Sequence, residues 1–425
     1  MIACLDEEMT VRRVSWDVWK AGLMAAVIGL AGPVSPVQAA ASRPALAGDV
    51  NGDGRVDVIA GLYLLAAKGK SEAGGVVVYF GGPAKVSATG RTVTLARPVA
   101  KENLGRTLAT GDFDRDGYAD VLASARGKLV VFRGSKAGLR GDGATVIPWP
   151  VTAPAMAAAD FDGDGYGDVA VTGDKQVVVL RGGEHGLRVS GRLADGAPQF
   201  GAELAAGDVN GDRLPDLVTV EHRVAYPDPV GPQRITVVPG SRSGLSTARA
   251  WSITPTERAA RDLAVGDVNG DRMADLVRIT SDAGAAFEVV VQLSRGTGFG
   301  PAQTLRYGED YPSNVGLGDV TGDGRADLAV HLSNGNHDWA VLHPGTGTGV
   351  TAQPARRYSH DTYETGYGTS LRLANVRGDH RADIIAGLPG VYGTGELEIL
   401  PEGRSEARQR LSAKAAAGLG RSQPS

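Results

Sequence analysis

The chain has 425 residues, 42% of them hydrophobic and 5% aromatic, with a formal charge of −4. Length alone suggests two or three domains, but large all-β folds run longer as single units, and this composition can fill one large core. The charge is mild, and no basic run interleaved with aromatics offers nucleic acid a surface.

Arg12, Arg13 and Lys20 precede an apolar stretch, residues 21–32, and small residues follow around Ala39–Ala41. This pattern reads as a secretory signal peptide cleaved after Ala39 or Ala41, so residues 1–41 are expected to be removed and the product secreted. The 12-residue run is too short to span a bilayer, and no second apolar stretch exists. Cys4, the only cysteine, lies in the part removed, which leaves no disulfide.

From there one short acidic loop recurs seven times. The fullest copies are Asp112-Phe-Asp114-Arg-Asp116-Gly117-Tyr118-Ala-Asp120 and Asp160-Phe-Asp162-Gly-Asp164-Gly165-Tyr166-Gly-Asp168. The others start at Asp49, Asp208, Asp267, Asp319 and, in worn form, Asn375, at spacings of 63, 48, 48, 59, 52 and 56 residues. A period near fifty with a fixed signature means a repeat architecture.

Oxygen side chains at loop positions 1, 3, 5 and 9, with the carbonyl of position 7, can converge on one hard cation, and Ca2+ suits such irregular oxygen cages. Glycine at position 6 permits the positive φ of a tight turn. The candidate ligands are Asp49, Asn51, Asp53, Arg55 and Asp57; Asp112, Asp114, Asp116, Tyr118 and Asp120; Asp160, Asp162, Asp164, Tyr166 and Asp168; Asp208, Asn210, Asp212, Leu214 and Asp216; Asp267, Asn269, Asp271, Met273 and Asp275; Asp319, Thr321, Asp323, Arg325 and Asp327. Arg55, Tyr118, Tyr166, Leu214, Met273 and Arg325 enter through their carbonyls. An EF-hand is excluded because position 12 is never Glu. A dockerin is excluded because short β-rich runs such as Val121-Leu122 and Leu217-Val218 follow the loops, where a dockerin has helices.

Each repeat holds four strand-like runs. In the fourth they are 204–209, 216–220, 234–240 and 248–253, and the third run usually ends in a Gly/Pro turn. Seven such units predict an all-β, seven-bladed β-propeller with four-stranded antiparallel blades over residues 44–414, followed by a flexible tail at 415–425.

With its acidic loops, its Phe200-Gly201, Leu104-Gly105 and Tyr367-Gly368 pairs, and its Ala-x-Gly-Asp lead-ins, the chain resembles the FG-GAP (VCBS-type) repeats of the integrin α-subunit head. The resemblance covers about residues 44 to 414 and implies the propeller, loops that bind calcium between the first two strands of blades, and a role in adhesion or binding. Ala159 departs from the pattern, standing where glycine precedes the first Asp.

The loops are not expected to bind equally. Blades two and three offer four carboxylates each and rank highest; Arg213 and Arg272, at the glycine position, weaken blades four and five by about 1 kcal/mol. Blade seven, with Arg377 at position 3, is expected to hold no ion, its guanidinium standing in by pairing with Asp379 or Asp383. About five or six ions follow, structural in role. Without them the clustered carboxylates repel and their pKa values rise.

No catalytic constellation stands in the sequence: no His-Glu-x-x-His occurs, and Gly240-Ser-Arg-Ser-Gly244 lacks a nucleophile elbow's central serine. Two Arg-Gly-Asp triplets, at 140–142 and 377–379, are explained by turn chemistry. A ligand surface is expected opposite the acidic loops, with Tyr307, Asp310, Tyr311, Tyr358, Asp361 and Tyr363 as candidates, since tyrosine joins apolar area to a hydrogen-bonding tip. The expected function is a secreted, monomeric, non-catalytic binding or adhesion module for an extracellular protein or glycan. The alternatives are a polysaccharide-acting enzyme and an envelope assembly scaffold.

Overall fold

The computed structural model describes residues 45–412 apart from 152–153, 175, 195–199, 222–223, 226–227, 230–232, 256–258, 282–286, 360–369, 389–395 and 405–407. The signal-peptide reading and the tail at 415–425 lie outside the described residues.

Runs of β-branched and aliphatic residues make the inner strands. Val76–Tyr79, Asp120–Ala125 and Asp216–Glu221 are buried along their whole length, because a blade packed on both faces needs an unbroken apolar run where a half-exposed strand would alternate. The outer strands, such as Thr145–Pro148 and Arg188–Leu193, are mostly exposed. The strands form seven antiparallel meanders. Blade two, for example, runs Leu108–Gly111, Asp120–Ala125, Lys128–Phe132 and Thr145–Pro148 in spatial order. Blades four and six carry an additional small hairpin each. In blade one, three strands are described, and the segment entering its loop is tied to the second by Asp57 N–H donating to Gly48 O at 2.9 Å.

Among the described residues the core is divided into seven apolar clusters, one at each seam between neighbouring blades. The ring closes without exchange of strands. Gln409–Ser412 is the outer strand of blade seven, so all four of that blade's strands come from one continuous segment. Closure rests on the seam where Val58, Val77 and Tyr79 meet Val376, Ile385 and Ile399, on Gly82 N–H to Val376 O at 3.1 Å, and on Gln409, whose amide bonds both backbone groups of Val86. Every acidic loop joins the first two strands of its blade. All seven therefore lie on one face, and the connections between second and third strands and between blades lie on the other.

Candidate metal centres

Each of the first six loops is wound around the carboxylate of its first residue. Asp49 Oδ1 accepts the N–H groups of Gly52 at 2.7 Å and Asp53 at 3.1 Å, and Oδ2 accepts that of Gly54 at 2.8 Å. Asp208, Asp267 and Asp319 accept the same three positions, and Asp112 and Asp160 accept positions 5 and 6. Position 2 (Val50, Phe113, Phe161, Val209, Val268, Val320, Val376) is an apolar plug, no more than 2% exposed, set into the seam with the next blade.

Position 9 joins the loop to the rest of its blade. Asp57 Oδ2 accepts Val50 N–H at 3.0 Å and Oδ1 accepts Gly81 N–H, beyond the third strand, at 2.8 Å. Asp168, Asp216, Asp275 and Asp327 repeat this pair of bonds. In blade two Asp120 Oδ1 accepts Gly134 N–H at 2.9 Å, while the buried Asp120 Oδ2 and Asp114 Oδ1 have no hydrogen-bond partner among the described residues. Side-chain oxygens of Asp112, Asp114 and Asp116, and those of Asp160, Asp162 and Asp168, lie within 4.8 Å of one another. Buried oxygens without donors, gathered at this spacing, are the chemistry a hard cation satisfies.

Two positions need a left-handed backbone, where the sequence pattern pointed to one. Position 6 is left-handed at Gly54, Gly117, Gly165 and Gly324, and Arg213 and Arg272 are forced to φ +72° there. Position 4 is left-handed too, at Gly52, Gly163, Gly211, Gly270, Gly322 and Gly378, with Arg115 the one departure at φ +58°. Blade two, ranked highest on carboxylates, thus carries its own strained residue.

The raised carboxylate pKa values come first from burial, with mutual repulsion a smaller contribution than the clustering suggested. Burial pushes Asp57, Asp168, Asp216 and Asp275 up to about 7 and Asp120 to about 8, against the N–H groups that hold them down. Asp49, Asp112, Asp116, Asp160, Asp162, Asp208 and Asp327 are raised for the same leading reason. Asp164 departs: burial raises it, but the Tyr166 N–H and Arg181 outweigh that and leave it lowered.

Arginines missed in the sequence reading qualify the ranking of the loops. Arg133 pairs with Asp114 at 2.6 Å, and Arg181 pairs with Asp162 and with Asp164, the latter at 3.0 Å. These are the two blades with Asp at loop position 3. In the other blades the residue matching Arg133 and Arg181 is Phe80, Pro239, Leu293, Pro344 or Pro401. The fourth carboxylate and its counter-ion come together, so it adds less negative charge than a count of acids implies. This coincidence within one chain was the available signal. In blade seven Arg377 lies 2.9 Å from Asp379, 3.1 Å from Asp383 and 3.2 Å from Glu402, as a guanidinium in place of an ion would. That ion pairing holds the second Arg-Gly-Asp triplet, whereas the first is exposed at Arg140 and Asp142.

The expected ligand surface changes. Tyr358 is 2% exposed inside the seam of blades six and seven, so it is a core residue. Tyr307 packs on the seam of blades five and six and its hydroxyl lies 3.2 Å from His343 Nε2. Asp310 is half-buried, Tyr311 is 51% exposed and edge-on to Phe287 at 6.1 Å, and Asp361 and Tyr363 lie outside the described residues. The structure also gathers Ser313, His331 and Asp338: Ser313 Oγ is 2.5 Å from His331 Nδ1, and His331 Nε2 is 3.3 Å from Asp338 Oδ1. The hydroxyl meets the ring nitrogen that faces the carboxylate in an acyl-transfer triad. His331 is 1% exposed, and its ring pins a bulge in the first strand of blade six.

A ring of blades with an acidic loop between the first two strands of each defines a repeat propeller. The FG-GAP-like repeat family matches residues 49–123, 112–171, 160–219 and 267–330, together more than half of the chain, and the chain belongs to that family. No curated protein matches it in sequence. Among solved structures it is similar to an Agrocybe aegerita lectin described as recognising non-reducing terminal N-acetylglucosamine (16% identity, TM-score 0.48, covering 74% of this chain and 79% of that one). It is also similar to the Dos1 propeller (9% identity, TM-score 0.47, covering 76% of this chain and 77% of that one).

Proposed function

We propose that the chain is a secreted, calcium-stabilised, non-catalytic β-propeller that captures an extracellular protein or glycan on the face opposite its acidic loops. The observation that carries this reading is the contrast between the two faces. On one, the loops are bound into the blades through buried carboxylates. On the other, Tyr311 stands half-exposed against Phe287, an apolar and hydrogen-bonding platform on a rigid frame.

Calcium would be held by positions 1, 3, 5 and 9 and the position 7 carbonyl of blades one to six. It would supply the positive charge that lets buried carboxylates such as Asp120 stay ionised. Extracellular modules bind calcium at about 10⁻⁴–10⁻³ M, so such sites fill only where calcium is plentiful. The reading is tested by screening glycans and extracellular proteins with the calcium-loaded chain and with Tyr311→Ala. Binding that Tyr311→Ala abolishes supports it; binding that the substitution leaves intact moves the function to another surface.

A further inference from the structure

The innermost strands of blades four to seven carry four polar side chains on neighbouring strands of the ring. Glu203, Asp262 and Asn314 occupy one position in blades four, five and six, five residues before the first loop residue. Two residues further along, blades two to six supply Ala109, Ala157, Ala205, Ala264 and Gly316, small because inner strands crowd at the axis, and blade seven supplies Arg372. Bulges at Ala260/Asp262 and Pro312/Asn314 break the ladder there, a device that re-aims the following side chain. The second bulge is pinned by the Ser313–His331 bond.

Three of the four are bonded to their neighbours. Asp262 Oδ2 accepts Asn314 Nδ2 and Val315 N–H, both at 2.8 Å, and Oδ1 accepts Leu263 N–H at 3.0 Å. Asn314 Oδ1 accepts Leu371 N–H at 2.7 Å and Arg372 Nη1 at 3.4 Å, and Arg372 Nη1 also donates to Leu371 O at 2.7 Å. Glu203 differs: it has no hydrogen-bond or ion-pair partner among the described residues. It is set deep between blades, and burial pushes its carboxyl up to about 8, with Asp262 raising it further and Arg372 opposing. All four side chains keep partial exposure, so solvent reaches them.

A half-buried carboxylate that receives no donor from the protein is left to solvent, a proton or a ligand. With both carboxyls ionised, two carboxylates beside one guanidinium leave one negative charge unmatched, which a monocation binding there would balance. A divalent metal fits poorly, because Asp262 already accepts three N–H groups and Asn314 Oδ1 two donors. On the same strand as Asn314, Tyr311 offers an exposed ring. We propose that this site binds one primary ammonium group, with Glu203 as its acceptor and Asp262 as the second negative charge. The inference rests on the binding-module reading and names the ligand group which that reading leaves open. The amine can belong to an amino sugar or to a lysine side chain.

The test is calorimetric titration of the full chain in calcium with glucosamine and with Nα-acetyl-lysine amide, and with N-acetylglucosamine as the control without an ammonium. Binding of glucosamine alone assigns an amino sugar, binding of the lysine amide alone assigns a protein lysine, and N-acetylglucosamine should not bind. Glu203→Gln should weaken binding at least about tenfold, as loss of one buried charge partner does. Arg372→Gln, which removes the competing cation, should tighten it, a readout that survives if Glu203→Gln fails to fold. No amine binding by the native chain, or equal binding by both variants, overturns the proposal. Glycan binding through Tyr311 with no preference for amines also overturns it but leaves the wider reading standing.

Discussion

Arg55, in the first acidic loop, packs on Gly378, in the last: a Cβ added at Gly378 would lie 3.1 Å from Arg55 Cγ. The same contact recurs around the ring. Tyr118 covers Gly52, Leu214 covers Gly163, Met273 covers Gly211, Arg325 covers Gly270 and Arg381 covers Gly322. Between blades two and three, Tyr166 meets the Arg115 guanidinium at 5.9 Å. Position 7 of each loop thus rests on position 4 of the loop before it, and the seven loops form one closed belt. Gly378→Ala would add a methyl group at φ +71° against Arg55. It should cost about 1–2 kcal/mol, read from urea unfolding in calcium.

The plugs at position 2 should matter more. Phe113 and Phe161 are fully buried in the seams of blades two and three and of blades three and four. Phe113→Ala should lose about 3–5 kcal/mol by urea unfolding, with or without calcium, because the cavity it leaves is independent of any ion.

Much of this was legible in the sequence. The period near fifty, the loop signature and the apolar runs carry the propeller, because a fixed turn chemistry between short buried strands leaves few alternatives. Arg377 pairing with Asp379 and Asp383 was legible for the same reason, since a cation within an acidic loop has nowhere else to put its charge. Glycine at position 4 was present in six of the seven loops but unread, because the contact that requires it comes from the next blade, some fifty residues away. Tyr358 differs from its expected place for a related reason: a loop-like stretch is the strand Arg356–Ser359, in which Tyr358 alone is buried. In the group of Glu203, Asp262, Asn314 and Arg372, the placing of Asp262 and Asn314 involves bulges that no local pattern announces.

The strained arginines give a gain-of-stability test. Arg213→Gly and Arg272→Gly remove a side chain from φ +72°. Each should strengthen calcium binding in its own loop by about 1 kcal/mol, or roughly fivefold, seen as a lower calcium concentration for half-maximal thermal protection.

Asp120→Asn separates the two roles of position 9. The amide keeps the acceptor for Gly134 N–H and removes a carboxylate whose other oxygen has no donor. In chelator at pH 8 the variant should be at least as stable as the native chain. In calcium it should show a smaller thermal shift, having lost a ligand. An unchanged shift would remove Asp120 from the metal site.

The pH dependence follows from the raised carboxyls. Asp57, Asp168, Asp216 and Asp275 sit at about 7 and Asp120 at about 8, against 3.8 when unfolded. The folded metal-free chain therefore holds more protons than the unfolded one. That stabilisation is complete below about 3.8 and is lost as pH rises through 7 to 8. Unfolding in chelator should show stability falling from pH 5 to 8, and calcium, by holding the carboxylates ionised, should flatten or reverse the slope.

The most direct measurement is thermal unfolding of the chain at pH 7.5 with calcium and with chelator, alongside a count of bound metal. The account predicts five or six ions per chain and a large drop in melting temperature when they are removed. An unchanged melting temperature with no metal bound would contradict it and leave the acidic loops as hairpins held by their own hydrogen bonds.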